Sequence, residues 1–231
     1  MKFDSEAPCE FYVFDRSAKK LVATYHAPGF FFFHSINAYE KDDTLVLDVI
    51  GYEDASVIES LYFSNLLQKI PSTEKFKVQE TRRYLLRDIS AIVDPTTARK
   101  ATWTAPATGV YPELPRVSDN YFATDYTYFY AMNLLDPFES NAVIGNSLCK
   151  VDMETGEHWI WKEDDCKPSE PIFIADPHGQ EEDDGVLLSV VLDEVKGASF
   201  LAVIDAKNMK EIARAEVNSV VPFGFHGAFK C

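Results

Sequence analysis

Five histidines carry most of the chemical potential of this chain: His26, His34, His158, His178 and His226. A neutral imidazole is a good transition-metal ligand. None of the five sits in HExxH spacing and no HxH pair occurs, so neither a zinc-protease helix nor a local metal clip is indicated. GxSxG, P-loop and GxGxxG patterns are absent too, which leaves hydrolase, kinase and nucleotide-binding readings without a motif. His34 and His226 stand apart by their surroundings. In FFFHSINAYE, His34 ends a run of four phenylalanines, Phe30 to Phe33; in VPFGFHGAFK, His226 follows Phe223 and Phe225. An aromatic strand that ends in an imidazole can present a metal ligand from a rigid, dry wall. Taken singly, each reads more readily as a packed core histidine than as a ligand. Small or polar residues follow both (Ser35, Gly227), where a strand could end near an axis.

Two glutamates are held by prolines. Glu113 lies in YPELPRV between two prolines, and Glu170 lies in PSEPIF next to Pro171. A proline neighbour fixes the backbone that carries the carboxylate. The alternative is a solvated turn in a chain with 37 acidic residues. The run EEDD, Glu181 to Asp184, lacks the alternating ligands and distal Glu of a calcium loop and reads as a surface turn.

The elements that must position these groups read as strands. Aromatic residues make up 13% of the 231 residues, which favours strands, and 46% hydrophobic content is enough for a real core. A net charge of −15 repels phosphate backbones and argues against nucleic-acid binding. Cys9, Cys149, Cys166 and Cys231 show no CxxC spacing, so reduced thiols and a cytoplasmic setting are expected. The start MKFDSEAPCE has no signal-peptide pattern, and no apolar run is long enough to span a bilayer. Attachment to a membrane surface through an apolar patch stays open.

Along the chain, EFYVF leads through a polar turn opened by Asp15 into LVATYHA, a hairpin. LCKVD with Asp152 and FLAVID with Asp205 begin two more of the same kind. Hairpins recurring at roughly fifty residues suggest propeller blades, although any all-β chain has Asp in turns. TLVLDVIGY, TRRYLLRDI, DYTYFYAMNL, EPIFIAD and GVLLSVVLD read as further strands. Ser56 to Ile70 has helical spacing, with Ile58, Leu61, Tyr62 and Leu66 near one face. Ala91 to Tyr111 reads as a long connection with at most one strand, His26 as part of a hairpin loop, and His178 as part of a DPHG turn. No low-complexity linker divides residues 1–231, so one domain is expected.

FFFHSINAYE, YPELPRVSDNY, KEDDCKPSEPIFIADP with EEDDGVLLSVV, LAVIDAKNMKEIARAEV and FGFHGAFK together resemble the carotenoid cleavage oxygenase family, in order from about Glu10 to Lys230. The resemblance implies an all-β fold, a seven-bladed β-propeller of which this chain is the C-terminal blades, with a short helix and long loops. It implies a non-haem iron(II), Fe(2+), held on the axis by four histidines. His34 corresponds to the third and His226 to the fourth, while Glu113 and Glu170 match glutamates that accept hydrogen bonds from ligand imidazoles. Many members have a doubled histidine where this chain has His34-Ser35, and the first is taken as the ligand. His26, His158 and His178 match no ligand motif.

The chemistry implied is cleavage of a polyene double bond by O2 to two carbonyl products, with a carotenoid or apocarotenoid as substrate. Full members are roughly twice this length and carry the other two ligands in their N-terminal half. The expectation is therefore that this chain holds half the site, is inactive alone, and needs the missing N-terminal half. A partial propeller would also expose unpaired edges that invite association. A second reading is a non-catalytic module that binds carotenoid or another protein.

Overall fold

CEFYVFD, the first strand, alternates half-buried and exposed side chains, the period-two pattern of a strand with one face on a core. In the computed structural model, which describes residues 3–66, 77–91, 93–135, 137 and 145–230, sixteen strands form four sheets. The first sheet joins β1 (Cys9–Asp15), β2 (Lys20–Ala27) and β6 (Ala98–Lys100), with β6 parallel to β2. The second runs β3 (Phe31–Lys41), β4 (Thr44–Tyr52), β5 (Glu80–Arg87), β7 (Thr102–Thr104). The third has β8 (Pro112–Arg116) at its edge, then β9 (Tyr128–Asn133), β10 (Ser147–Asp152) and β11 (His158–Trp161). The fourth comprises β12 (Cys166–Pro168) and β13 (Ile172–Ala175), both on β14 (Gly185–Asp193), then β15 (Ala198–Asp205) and β16 (Glu211–Val217).

Three cores stack these sheets face to face in chain order. Ala23, Tyr25 and Ala27 of the first sheet meet Val49, Tyr84 and Leu86 of the second. Ile36, Tyr39 and Ile50 of the second meet Phe129, Ala131 and Val151 of the third. Tyr130, Leu148 and Trp161 of the third meet Leu187, Val191 and Phe200 of the fourth. Alternate residues of β9 thus feed two cores, and all six β10 residues are buried. The outer face of the first sheet leaves Tyr12 and Phe14 more than half exposed.

Buried polar groups tie the layers. Asp48, fully buried, accepts two bonds from the Arg83 guanidinium (2.9 Å each) and one from the Tyr126 hydroxyl (2.8 Å), joining the second sheet to the segment that leads into β9. EEDD is not a solvated turn. Asp183 accepts from buried Lys150 at 2.6 Å, and Glu182 accepts from the Thr127 and Tyr128 amides. A buried ammonium needs a counter-charge, so this run is drawn inward to bridge the third and fourth sheets.

The three Asp-opened hairpins fold as expected, and a fourth at Asp193 shows the same turn. Oδ1 of Asp15, Asp152, Asp193 and Asp205 each accepts from the amides two and three residues on. The residue four after each aspartate has positive φ: Lys19, Gly156, Gly197 and Met209. Asp193 and Asp205 flank the same strand, β15, so the turn marks a hairpin and not a sheet-sized repeat. The Ser56–Ile70 helix is two short helices, α1 (Ser56–Ser60) and α2 (Phe63–Leu66); the remainder of that prediction lies outside the described residues. Ala91 to Tyr111 holds two short strands, β6 and β7, because each finds an edge to pair with. His26 belongs to β2, opposite Glu10, not to a loop.

Candidate metal centre

His34 is presented by β3 near a bulge, since pairing with β4 shifts register between Phe32 and Ser35 and again before Asn37. A bulge re-aims the side chain it carries. The wall is less dry than the aromatic run suggests: Phe30 is buried, while Phe32 and Phe33 are 44% and 39% exposed. His226 is not on a strand. Strand β16 ends at Val217, and residues 218–230 contain neither helix nor strand. Pro222 offers no amide, and among the described residues no strand pairs with the segment beyond the single backbone bond from the Ser199 amide to Ser219 O, so the aromatic pattern there does not become a ladder.

The two imidazoles nevertheless meet. His34 Nε2 and His226 Nε2 are 3.2 Å apart, with ring planes at 72°. Behind them, His34 Nδ1 lies 2.6 Å from Glu113 Oε2, and His226 Nδ1 lies 3.0 Å from Glu170 Oε1. Glu113 and Glu170 are therefore brought to the histidines they were expected to serve. Glu113 stands on β8, not in a turn; an edge strand has room for its flanking prolines. Glu170 lies between β12 and β13, where the Ser169 amide donates to Val190 O and the Ser189 hydroxyl donates to Ser169 O. His158 and His178 lie on exposed surface away from this pair, at the start of β11 and in the 176–179 turn.

Neither glutamate is left to its histidine alone. The Tyr52 hydroxyl donates to Glu113 Oε1 (2.9 Å) and the Leu114 amide to Oε2 (2.8 Å). Burial, then the charge and hydrogen bond of Glu113, push the Tyr52 hydroxyl well above its ordinary range, so it stays a donor. Glu170 accepts from Arg116 Nε (2.9 Å) and Nη2 (3.1 Å) and from the Gly227 amide (2.8 Å). Tyr52 and Arg116 were not singled out from the sequence. The YPELPR string that yielded Glu113 contains Arg116, but its role appears only once β8 is folded.

The donor set fits a metal cation. A carboxylate accepts, so the network assigns the hydrogen of each ring to Nδ1 and leaves a lone pair on each Nε2. Two lone pairs facing each other at 3.2 Å repel; the two carboxylates hold them there, and a cation between the nitrogens would relieve the repulsion. Two nitrogens at about 2.1 Å from one ion, at right angles, stand about 3.0 Å apart. Neutral imidazoles whose far nitrogens are fixed by carboxylates suit iron(II). Among the described residues, no group of three or more His, Cys, Asp or Glu could hold a metal, so this pair is short of a full ligand set.

Beside the pair is a cavity of about 310 Å³, lined largely by apolar groups including Phe33, Val57, Leu61, Leu114, Met132 and Leu134. Among the described residues, no helix is long and apolar enough to cross a membrane.

Comparisons with known proteins agree with one another. The sequence model described as retinal pigment epithelial membrane protein matches residues 1–230. A carotenoid dioxygenase of Neurospora crassa is 34% identical across 98% of this chain and 40% of its own length. Beta,beta-carotene 15,15'-dioxygenase of Gallus gallus is 33% identical across 99% of the chain and 46% of its own length. A torulene dioxygenase of Fusarium fujikuroi is 32% identical across 97% and 42%. The chain thus spans less than half the length of these relatives. In fold, a mutant of the Synechocystis apocarotenoid oxygenase superposes with a TM-score of 0.81 at 22% identity, over 98% of this chain and 45% of that one. A cobalt-substituted form of the same oxygenase gives 0.77 at 21%, over 98% and 45%.

Proposed function

The chain belongs to the retinal pigment epithelial membrane protein family, the carotenoid oxygenases, and we propose that it carries half of an iron(II) centre for oxidative cleavage of a polyene. The observation that carries this is the facing of two Nε2 atoms at 3.2 Å, each ring backed by a carboxylate. His34 and His226 would hold the metal, with Glu113 and Glu170 fixing their tautomers. Iron bound there would supply the activation of O2 for insertion of both oxygens across a double bond of a carotenoid or apocarotenoid, giving two carbonyl products. The chain's own contribution is to orient two imidazoles and to offer an apolar wall that selects which stretch of polyene lies beside them.

The remaining ligands would come from residues outside this chain, consistent with its spanning 40–46% of the length of its relatives. The four stacked sheets are then blades of a seven-bladed propeller that closes only with further sheets. Two imidazoles bind iron(II) far more weakly than four, so the chain alone is expected to load iron poorly and not to cleave carotenoid.

Anaerobic iron(II) titration tests this. The chain should bind about one weakly held iron, and His34→Ala or His226→Ala should each abolish that binding. Equal iron binding by either variant would sink the assignment. The binding-module reading draws on the cavity wall. It is favoured if a double His34→Ala, His226→Ala variant retains the affinity of the parent chain for a polyene.

A further inference from the structure

His34 and His226 are held in different ways. The backbone of His34 belongs to β3, whereas His226 rides on a segment with no ladder and a side chain 56% exposed. What fixes His226 is a closed ring of bonds around Glu170. Oε1 accepts from Arg116 Nε and lies 3.0 Å from His226 Nδ1; Oε2 accepts from Arg116 Nη2 and the Gly227 amide. A carboxylate has about four acceptor sites, and all are used. Arg116 Nη2 also donates to Gly227 O at 2.9 Å, so one guanidinium grips both the carboxylate and the peptide next to the histidine. Among the described residues Glu113 has no such cation; its further donors are Tyr52 and its neighbouring amide.

Strand β8 makes this arrangement possible. Glu113 pairs with Met132 and Arg116 with Tyr130, so three steps on β8 match two on β9. Residues three apart on a regular strand face opposite ways, but the extra residue of a bulge returns them to one side. Leu114, at φ +53°, takes up the bend. Glu113 and Arg116 therefore leave β8 on the same side, one reaching His34 and the other reaching Glu170.

We propose that Arg116 is the positioning residue for His226, acting through Glu170, so that one bulged strand sets both imidazoles. Without the guanidinium, Glu170 loses its two charge-assisted bonds and keeps only the Gly227 amide, on Oε2, so Oε1 is no longer held against Nδ1. His226 then drifts toward the Nε2–H tautomer that free imidazole prefers, which blocks the nitrogen facing His34. The consequence for affinity rests on the iron reading above; the tautomer is a property of the metal-free chain.

Imidazole ¹⁵N NMR of the metal-free chain at alkaline pH reads the tautomers, with His34→Ala and His226→Ala variants assigning the signals. In Arg116→Gln, His226 is expected to shift toward Nε2–H while His34 stays Nδ1–H, and cobalt(II) affinity is expected to fall about tenfold or more. Arg116→Lys keeps the charge but loses the fork, so it should fall between, and it carries the test if Arg116→Gln does not fold. An unchanged His226 tautomer overturns the proposal. So does an equal shift of both rings, which would mean that β8 had merely loosened. A parent chain that binds no cobalt(II), yet shows the His226-specific shift, would sink the metal reading and leave the role of Arg116 standing.

Discussion

At the scale of single residues, the two glutamates do one job with different supports, and the difference is measurable without metal. Glu113 takes its other bonds from neutral donors, Tyr52 and the Leu114 amide. Glu170, only 4% exposed in its side chain, takes two of its bonds from a guanidinium. A carboxylate is a charged acceptor whatever donates to it, so replacing Glu113 by Gln should cost about 1.5 kcal/mol of folding stability, the low end for a bond with one charged partner. Replacing Glu170 by Gln should cost more, up to about 3 kcal/mol, because two of its bonds are charged at both ends. Urea unfolding of the two variants checks the order; a larger loss for Glu113→Gln would contradict it. Metal affinity should fall in both, since each removes the carboxylate that fixes a ring nitrogen.

At the scale of elements, the sequence was most legible where pattern and pairing agree. TLVLDVIGY and GVLLSVVLD are β4 and β14 to the residue, because β-branched runs bounded by turns have little else to become. It was least legible where a segment needs a partner to be a strand. PELPR becomes β8 only because β9 lends it an edge, while VPFGFHGAF finds none and stays irregular in spite of its aromatics. The histidines and glutamates were found by motif; Arg116 was not, since its reach depends on a bulge that no spacing announces. The Asp-opened turns give a prediction at this scale. Gly156 and Gly197 occupy the same place in the turn, at φ +78° and +61°. A Cβ on Gly197 meets nothing within 4 Å, but on Gly156 it would stand 2.6 Å from Pro106 O. Gly197→Ala should then cost only the left-handed backbone penalty, about 1–2 kcal/mol. Gly156→Ala adds a clash with main chain and should cost about 1–3 kcal/mol more. Equal losses in thermal or urea unfolding would remove the close approach from the explanation.

For the molecule as a whole, the three cores between the sheets share a chemical weakness. Each contains buried tyrosine: Tyr25 and Tyr84 in the first, Tyr39, Tyr52 and Tyr126 in the second, Tyr130 in the third. Burial is the leading cause that raises every one of these hydroxyls above the ordinary range, Tyr39 to about 12. In Tyr52 and Tyr126 a nearby carboxylate, Glu113 or Asp48, adds to the shift. An unfolded tyrosine ionises near pH 10. With the folded values higher, the native state binds more protons than the unfolded state above that pH, so stability must fall as pH rises. Below about pH 10 the contribution is fully present; through the range up to about 12 and beyond it is lost. Because the tyrosines lie in all three cores, ionisation of any one charges an interface that two sheets share, and the sheets should separate together. Far-ultraviolet circular dichroism and the part of the tyrosinate absorbance that comes from the buried rings, followed on one alkaline titration, should change in a single coincident step above pH 10. If the buried hydroxyls ionised near pH 10 while the strand signal persisted, the cores would not be sealed against water in the way the stacked sheets require.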